Sequence, residues 1–434
     1  MDERIAVVGV GRIGAVTAVG MAHLLHDVTG LDRDADRVAE LASGQLREAE
    51  PGLRAALRSA LRLRRLRFCA VAEAGQFDAA FLCVDTPPAA DGSPDLSQLF
   101  AAAATAAGLL RPGGLLITRS TVPPGTGARL EAALRTAGRG DIHVVHVPEF
   151  LREGRAWEDF REPDRVVIGA DSAGAGARAA TLFAGIEAPV FVADRVTAEL
   201  AKYAANVFLA TSVSFANEMA DLAAALGADA PTLFDILRAD HRIGRAAYLT
   251  PGLGFGGHCL PKDTAALEYV GLAHGVELRQ LRATMEVNRA RTWRVVEWLS
   301  TALGGLAGRR VALAGLAFKP GTDDLRASPS IALAAGLAGA GAAVTGFDPL
   351  VRQAGDIACA PSLEDALRGA DALVVAHRAP WVAETDPGWA GMLMRTRVLY
   401  DAPGALPAAD WAAAGFVTNL GCARAANPAR GNGR

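Results

Sequence analysis

Short apolar runs alternate with Ala-rich stretches over the first third of the chain. Apolar runs of this length, bounded by polar or glycine-containing segments, are typical of buried β-strands, whereas the longer Ala-rich stretches are typical of helices. Strands are predicted at residues 4–8, 79–84, 114–118 and 142–146, and helices at residues 15–25 and 96–110. Strands that alternate with helices predict a parallel sheet covered by helices on both faces.

The pattern changes further along the chain. Residues 196–227 predict one long, mostly apolar helix, longer than a typical globular helix. A second, smaller sheet is indicated by the apolar runs that follow. These runs lie at residues 310–318, 343–347, 372–376 and 398–400. We therefore expect an α/β protein with two Rossmann-like doubly wound parallel-sheet domains joined by a long central helix, with boundaries at residues 1–195, 196–304 and 305–434.

Composition restricts the classes of function. The chain has 434 residues, 51% hydrophobic and 21% charged, which is typical of a globular protein of two or three domains. Its net charge of −3 gives no electrostatic reason to expect nucleic-acid binding. No apolar run approaches the roughly 20 residues of a membrane span, and the N-terminal segment enters a strand without a signal-peptide pattern. We expect a cytoplasmic protein that binds neither nucleic acid nor a membrane.

Lysine is nearly absent from the chain. Among 44 Lys and Arg residues only Lys202, Lys262 and Lys319 are lysines, and each lies inside a dense polar motif. A compact, movable ammonium differs chemically from a planar guanidinium, so a chain this rich in arginine keeps lysine where arginine cannot replace it. The alternative is that three lysines survive by chance. We interpret them as the first indication of an active site.

The first predicted strand runs into a glycine-rich turn that opens a helix. GxGxxG spacing lets the backbone turn tightly and places a pyrophosphate at a helix N-terminus. The expected cofactor-binding residues here are Gly9, Gly11, Arg12, Ile13 and Gly14. Asp32 follows about 20 residues later, where a carboxylate accepts hydrogen bonds from a ribose 2′-hydroxyl, so NAD is favoured over NADP. Arg33 beside it weakens that preference.

Polar segments follow the later strands of the first sheet. In doubly wound sheets ligands collect at the carboxyl ends of the strands. The segments there are DTP at residues 85–87, STVP at 120–123 and PEFLRE at 148–153. Candidate ligand-binding residues in them are Thr86, Pro87, Ser120, Thr121, Glu149, Phe150, Leu151, Arg152 and Glu153. We expect these segments to converge on the site.

The long helix carries a polar stripe. Glu199, Lys202 and Asn206 are three and four residues apart and therefore share one face, with Asn217 on about the same stripe. Polar side chains on so apolar a helix need partners. For Asn217 and Glu218 a structural network between helices is the main alternative to a functional role.

The segment at residues 251–263, PGLGFGGHCLPKD, surrounds one thiol with four glycines. Pro261 predicts the first turn of a helix, so Cys259 stands just before a helix N-terminus, where the dipole and Lys262 favour the thiolate of a nucleophile. His258 is a less favoured base, because adjacent side chains usually point apart. Five cysteines without a CxxC pair argue against disulfides and a zinc site, so no metal is expected. We assign no catalytic role to Cys69, Cys83, Cys359 and Cys422.

The second predicted sheet begins with an apolar strand and a turn that is not a GxGxxG. Lys319 and Arg326 follow this turn. These cations suit a nucleotide diphosphate distinct from the NAD.

These motifs together resemble the nucleotide-sugar 6-dehydrogenases, the family of UDP-glucose and GDP-mannose dehydrogenases, over nearly the whole chain. The motifs are GVGRIG at residues 9–14, EPGL at 50–53, STVPPGT at 120–126, PEFLREG at 148–154, AELAKYAAN at 198–206, GFGGHCLPKD at 254–263 and AFKPGTDDLRASP at 317–329. The resemblance implies that residues 1–195 bind NAD, that 196–304 carry catalytic residues and a homodimer interface, and that 305–434 bind the nucleotide sugar.

The resemblance implies a four-electron oxidation, in which the C6 hydroxymethyl of a sugar becomes a carboxylate while two NAD+ are reduced. In the family's pattern Cys259 attacks the aldehyde formed first, the thiohemiacetal loses a second hydride, and water hydrolyses the thioester. Lys202 and Asn206 stabilise the C6 oxyanion. The residues that position and deprotonate the water are Asp263, Glu153 and Thr121.

The resemblance also assigns binding residues. Lys262 joins the cofactor-binding set. The substrate-binding set is Glu149, Phe150, Leu151, Arg152, Lys202, Asn206, Arg242, Phe255, Gly256, Lys319 and Arg326. Arg242 is expected to reach a neighbouring site across a homodimer formed through the central helix.

Some positions depart from the family's usual pattern. Asp85 stands where Pro or Gly is common and places an anion near the cofactor, Val147 stands where Asn is usual, and residues 415–424 lack the usual Gly-Arg ending. His258 resembles the branch that oxidises N-acetylated hexosamines, whereas Lys262, Asp263 and Arg326 resemble the UDP-glucose branch. UDP-glucose is the favoured sugar, with a UDP-N-acetylhexosamine or GDP-mannose as alternatives. A one-step NAD hydroxy-acid dehydrogenase and a non-catalytic nucleotide-sugar sensor are remoter alternatives.

Overall fold

The computed structural model describes residues 3–89 and 91–419. The chain divides into two compact units. The first comprises the chain up to Ala205 together with Ala265–Gly275, and the second comprises Asn206–Thr264 and the chain from Val276 onward. Cys422 and half of the divergent segment, residues 420–424, lie outside the described residues.

The first unit is built on an eight-stranded sheet. Its strands are β1 (Arg4–Val8), β2 (Asp27–Leu31), β3 (Leu66–Cys69), β4 (Phe77–Leu82), β5 (Leu110–Thr118), β6 (His143–His146), β7 (Val166–Gly169) and β8 (Val190–Ala193). The strand order is β3-β2-β1-β4-β5-β6-β7-β8, and neighbours are parallel except β6 and β7. The helices are α1 (Arg12–His23), α2 (Ala35–Ala42), α3 (Leu53–Arg62), α4 (Ser97–Leu109), α5 (Thr126–Thr136), α6 (Ala156–Arg161) and α7 (Ala173–Thr181).

Two helices contain residues of both units. They are α8 (Arg195–Leu226) and α10 (Cys259–Ala273). The second unit also contains α9 (Ala230–Ala239) and α11 (Arg279–Leu303). The bounds of α8 differ by one residue at each end from the predicted long helix, so the central helix is confirmed.

The second unit carries a six-stranded parallel sheet, in the order β11-β10-β9-β12-β13-β14. Its strands are β9 (Arg310–Ala314), β10 (Ala343–Phe347), β11 (Ala358–Cys359), β12 (Ala372–Val375), β13 (Val398–Asp401) and β14 (Val417–Thr418). The helices around it are α12 (Pro329–Gly339), α13 (Leu363–Leu367), α14 (Pro380–Ala383), α15 (Pro387–Leu393) and α16 (Ala408–Ala413).

Both sheets bury both of their faces. In β1, Ile5 and Val7 pack into one apolar cluster and Ala6 into another, because successive side chains of a strand point to opposite faces. In β9, Val311 and Ala312 likewise belong to different clusters. Burial on both faces explains the continuous apolar runs in the sequence. The predicted doubly wound α/β fold is confirmed.

Candidate active site

The glycine turn after β1 has the geometry of a dinucleotide-binding turn. Gly9 has φ +86°, in the left-handed region that favours glycine, and a Cβ on Gly14 would lie 1.8 Å from the Gly9 carbonyl oxygen. A Cβ on Gly11 would meet no atom within 4 Å, so this glycine leaves its side of the turn open. Asp32 is fixed at the end of β2, where its carboxylate accepts from the Val10 N–H at 2.8 Å. These residues fit NAD.

Arg12 and Glu153 form an ion pair in the first unit. Arg12 was predicted to bind cofactor and Glu153 to act on water, and no sequence pattern indicated their contact. The loop that carries Glu153 is held by Glu50, whose carboxylate accepts from the N–H groups of Gly154 at 2.8 Å and Ala156 at 2.9 Å. Burial raises the pKa of Glu50. The EPGL motif therefore supports this loop from a distant part of the chain.

The strand-end segments after β4 and β5 are tied together. The Thr86 hydroxyl donates to the carbonyl of Thr121 at 2.8 Å, and the Ser120 hydroxyl donates to that of Val84 at 2.6 Å. Thr86 and Ser120 are both buried. The predicted convergence of these two segments is therefore present, and their hydroxyls serve to hold them.

Lys202 forms a buried ion pair with Glu149. The Lys202 Nζ lies 3.1 Å from the Glu149 Oε1, and 5% and 8% of the two side chains are exposed. The other Glu149 oxygen accepts from the Leu151 N–H at 2.7 Å, and the Lys202 Nζ lies 5.4 Å from the centroid of the Phe150 ring. Burial opposes ionisation of Glu149, yet the charge of Lys202, the Leu151 N–H and the charge of Arg119 hold its pKa below the usual range.

Two residues beside this pair were missed by sequence reasoning. Arg119 and His146 lie at the ends of β5 and β6 and are almost fully buried. The Arg119 guanidinium donates to the carbonyls of Val147 and Pro148, both at 3.2 Å. Burial and the charges of Arg119 and Lys202 lower the pKa of His146 to about 3, so its ring is neutral. The available signal was a charged or titratable residue at the carboxyl end of an apolar strand.

In the second unit, Asp263 joins two other predicted site residues. Its Oδ2 accepts from the Asn206 amide at 2.5 Å, and its Oδ1 accepts from the Lys262 ammonium at 2.7 Å. Asp263 and Asn206 are both buried. This contact fixes the orientation of the Asn206 amide, which was predicted to face the reacting oxygen.

Cys259 is the first residue of α10, so the expectation that it stands just before the helix is wrong by one residue. Its side chain is exposed and stands in the first helical turn, where unpaired backbone N–H groups favour an anion. The loop before it is closely packed, because a Cβ on Gly256 would lie 2.2 Å from the Ala327 carbonyl oxygen. The backbone of Phe255 exchanges two hydrogen bonds with the Asn288 side chain, at 2.7 and 3.0 Å.

Cys83 has a different environment from Cys259. It packs against the main apolar cluster of the first unit, and burial raises the pKa of its thiol to about 12. A thiol of this kind is inert at neutral pH. Cys83 behaves as a core residue.

The remaining predicted cations contact nearby groups of their own unit. The guanidinium groups of Arg152, Arg242 and Arg326 pair with Asp159, Asp240 and Asp324, with shortest distances of 2.5, 2.5 and 2.6 Å. The Lys319 Nζ lies 5.4 Å from the centroid of the Phe318 ring. The guanidinium groups of Arg152, Arg242 and Arg326 are at least half exposed.

Two members of the polar stripe on α8 have structural partners. The Glu199 carboxylate accepts from the N–H groups of Gly125 and Gly127, at 2.6 and 2.7 Å, and so caps the start of α5. The Asn217 side chain accepts from the Gly252 N–H at 2.8 Å. Sequence spacing alone did not distinguish the structural roles of Glu199 and Asn217 from the catalytic roles predicted for Lys202 and Asn206.

Three parts of the chain match one protein family. Residues 3–187 match the NAD binding domain of the UDP-glucose/GDP-mannose dehydrogenase family, residues 196–290 match its central domain, and residues 312–408 match its UDP binding domain. The chain belongs to this family. The resemblance inferred from the motifs is thereby confirmed.

This dehydrogenase is similar to its relatives over most of their length. It is 39% identical to a UDP-glucose 6-dehydrogenase of Pseudomonas aeruginosa, over 95% of this chain and 96% of the relative. Among solved structures, a UDP-glucose dehydrogenase from Pyrobaculum islandicum is similar with a TM-score of 0.87 and 39% identity, covering 93% of this chain and 95% of that one. A UDP-D-ManNAc dehydrogenase from Pyrococcus horikoshii has a TM-score of 0.87 at 29% identity, covering 96% and 99%.

The dehydrogenase is an NAD-dependent nucleotide-sugar 6-dehydrogenase, so the predicted cofactor and class of substrate are confirmed. Among the helices of residues 3–89 and 91–419, none combines the length and the apolar character that a membrane crossing requires.

Proposed function

We propose that this dehydrogenase oxidises the C6 hydroxymethyl of UDP-glucose to the carboxylate of UDP-glucuronate through a covalent intermediate on Cys259. The observation that carries the proposal lies within the second unit. Cys259 is exposed in the first turn of α10, and the same turn carries Asp263, whose carboxylate accepts from the Asn206 amide and from the Lys262 ammonium. One helical turn therefore carries both a nucleophile and the residue that orients a neutral hydrogen-bond donor for the oxyanion.

The side chains act on one carbon, C6, which passes through two tetrahedral intermediates in turn. The Cys259 sulfur adds to the C6 aldehyde, and the oxygen that gains charge accepts from the Lys202 ammonium and the Asn206 amide. NAD+ held at the glycine turn after β1 would supply the hydride acceptor for each of the two oxidations. Water then attacks the thioester carbon, the C–S bond breaks, and the sulfur leaves as the thiolate. The water proton passes to a carboxylate, for which Asp263 and Glu153 are the candidates and Thr121 the residue that orients the water.

The binding residues keep the roles that the resemblance implies. The diphosphate is bound by the positive charges of Lys319 and Arg326, which both belong to the second unit. The sugar side is bound by Glu149 and its neighbours Phe150, Leu151 and Arg152, with Phe255 and Gly256. On the cofactor side, Asp85 adds an anion beside Thr86 and Pro87, which weakens the affinity for NAD relative to relatives with Pro or Gly there.

UDP-glucose is the favoured sugar because the relatives at 39% identity are described as UDP-glucose 6-dehydrogenases, whereas the UDP-D-ManNAc dehydrogenase is 29% identical. His258 keeps a UDP-N-acetylhexosamine as the second candidate, since this residue resembles that branch of the family.

The same proposal includes a homodimer formed through α8, in the central region 196–304, with Arg242 serving the neighbouring site. Support comes from large apolar side chains that are exposed on this helix. They are Val196, Leu200, Phe208, Leu209, Phe215, Leu222 and Leu226. A surface of this kind is typical of a protein interface. We propose a cytoplasmic location for the dimer.

A panel of UDP- and GDP-sugars, assayed with NAD+ by NADH absorbance, tests the function. The expected result is two NADH per UDP-glucose, with lower kcat/KM for UDP-N-acetylhexosamines and GDP-mannose. One NADH per substrate would indicate a simple alcohol dehydrogenase, and binding without NADH would indicate a sensor. Either result would contradict the proposal.

A further inference from the structure

Arg119 is a buried cation with an unusual set of contacts. It follows β5 and is 6% exposed. Its guanidinium donates to two consecutive carbonyls, those of Val147 and Pro148, directly before Glu149 in the chain. Its Nε has no hydrogen-bond partner among the described residues, and the groups that accept from its guanidinium are these two carbonyls rather than a carboxylate. Burying a guanidinium without a directly bonded anion is costly, so a fold that retains one gains something from its charge.

The charged and titratable groups around Arg119 leave one anion for it to act on. Burial lowers the pKa of Arg119, and the charge of Glu149 acts in the opposite direction, as a Cys83 thiolate would. The Cys83 thiol is neutral, because burial raises its pKa to about 12. His146 is neutral as well, and Lys202 is a cation. The Glu149 carboxylate is therefore the group that balances Arg119.

We propose that Arg119 is a positioning residue for the reaction, which fixes the backbone before Glu149 and keeps that carboxylate ionised, so that Glu149 in turn holds the Lys202 ammonium. The inference rests on the proposed function, because it takes Lys202 as the charge that faces the C6 oxyanion. Arg119 touches neither sugar nor cofactor in this account.

The charge of Arg119 affects the pKa of Glu149 in a defined direction. Burial opposes ionisation of Glu149, whereas Lys202, the Leu151 N–H and Arg119 favour it. Removing the charge of Arg119 raises the pKa of Glu149. A protonated Glu149 no longer attracts Lys202, so the acid limb of the kcat profile moves to higher pH. Each unit of this displacement is a tenfold loss of kcat at a fixed pH on that limb.

The experiment compares Arg119→Met, Arg119→Lys and a control, Arg178→Met. Arg178 lies in the same unit and also donates to two carbonyls, those of Gly113 and Asp78, at 2.8 and 2.9 Å, but it pairs with Glu3 and contacts no site residue. For each protein, kcat and the KM values for UDP-glucose and NAD+ are measured from pH 4 to 9, together with Tm. These measurements distinguish the loss of hydrogen bonds to backbone carbonyls from the loss of the charge.

Arg119→Met is expected to move the acid limb of kcat upward by at least about one pH unit, with little change in KM for NAD+. Arg119→Lys retains the charge and keeps the limb close to its parent position. Arg178→Met lowers Tm without moving the limb. The inference would be overturned if the acid limb of kcat in Arg119→Met coincided with that of the parent, or if Arg178→Met displaced the limb as well.

A double variant keeps the inference testable if Arg119→Met folds poorly. In a Glu149→Gln background the neutral amide cannot titrate, so adding Arg119→Gln should not displace the remaining acid limb, whereas Arg119→Gln alone should. Equal displacement in both backgrounds would contradict the link to Glu149. Failure of the proposed function is read separately, from a parent enzyme that does not form two NADH per UDP-glucose.

Discussion

Lys202 and Glu149 form an ion pair whose members are both more than nine-tenths buried, with 3.1 Å between Nζ and Oε1. Desolvating two charges costs several kcal/mol per ion, so such a pair adds little stability relative to apolar residues of the same size. A pair of this kind is better explained by function. It holds one ammonium in a fixed place on α8, one helical turn before Asn206.

Replacing Lys202 by Arg is the first test of this explanation. Lys202→Arg keeps the charge but substitutes a planar fork for a compact ammonium, so its hydrogen bond to the oxyanion and its contact with Glu149 cannot both be retained. We expect kcat to fall by about 10² to 10³. Steady-state NADH formation at saturating UDP-glucose and NAD+ measures this change. A variant with parental kcat would show that any cation serves at this position.

Asp263→Asn tests the contact that orients Asn206. An asparagine at 263 lacks the charge that holds the Lys262 ammonium. Its side chain also replaces one acceptor oxygen by an NH2 donor, which then faces either the Asn206 amide or the Lys262 ammonium, although both of these groups are donors. We expect kcat to fall by about 10² or more with a smaller change in KM for UDP-glucose.

Glu277→Gln is the matched control for that variant. Glu277 lies in the same unit and pairs with Arg279 and Arg282, but its side chain is half exposed. An exposed pair contributes little, so this control should retain parental kinetics. Equal losses in Asp263→Asn and Glu277→Gln would contradict a specific role for Asp263.

The neutral ring of His146 predicts a pH dependence of stability. Its pKa is about 3 in the folded protein and about 6.5 in an unfolded chain, so between these values the unfolded state binds more protons. Stability therefore falls as pH decreases from 6.5 toward 3, by up to about 1.4 kcal/mol per pH unit from this residue alone.

His146→Gln removes that titration. We expect the free energy of unfolding of the variant, measured in urea at several pH values, to depend less steeply on pH between 6.5 and 4.5 than that of the parent. Parallel pH dependences for the two proteins would contradict a neutral, buried His146.

The sequence predicted some elements of this site well because their signals are local. The apolar run of β1 and the glycine spacing after it depend on neighbouring residues, and so does the setting of Cys259. Contacts across long stretches of chain were not predictable, since no local pattern identifies their partner. Glu50 contacts Gly154 across 104 residues, and Asn206 contacts Asp263 across 57.

Short or atypical strands were missed for a different reason. Strand β8 has the sequence VFVA with its first three residues exposed, so its apolar character does not report burial. Strands β11 and β14 have two residues each, too few for a period to be recognised. Arg119 was missed because an arginine after an apolar strand is normally interpreted as a solvated residue, whereas here the strand ends inside the unit.

The most direct test of the covalent route is the amount of UDP-glucuronate and NADH formed by Cys259→Ala, compared with the parent enzyme at the same UDP-glucose and NAD+ concentrations. The parent should form two NADH for each UDP-glucuronate. Without a sulfur to capture the aldehyde, the variant should form no UDP-glucuronate above background. Two NADH per UDP-glucuronate at the parental rate from Cys259→Ala would contradict the central role of this thiol.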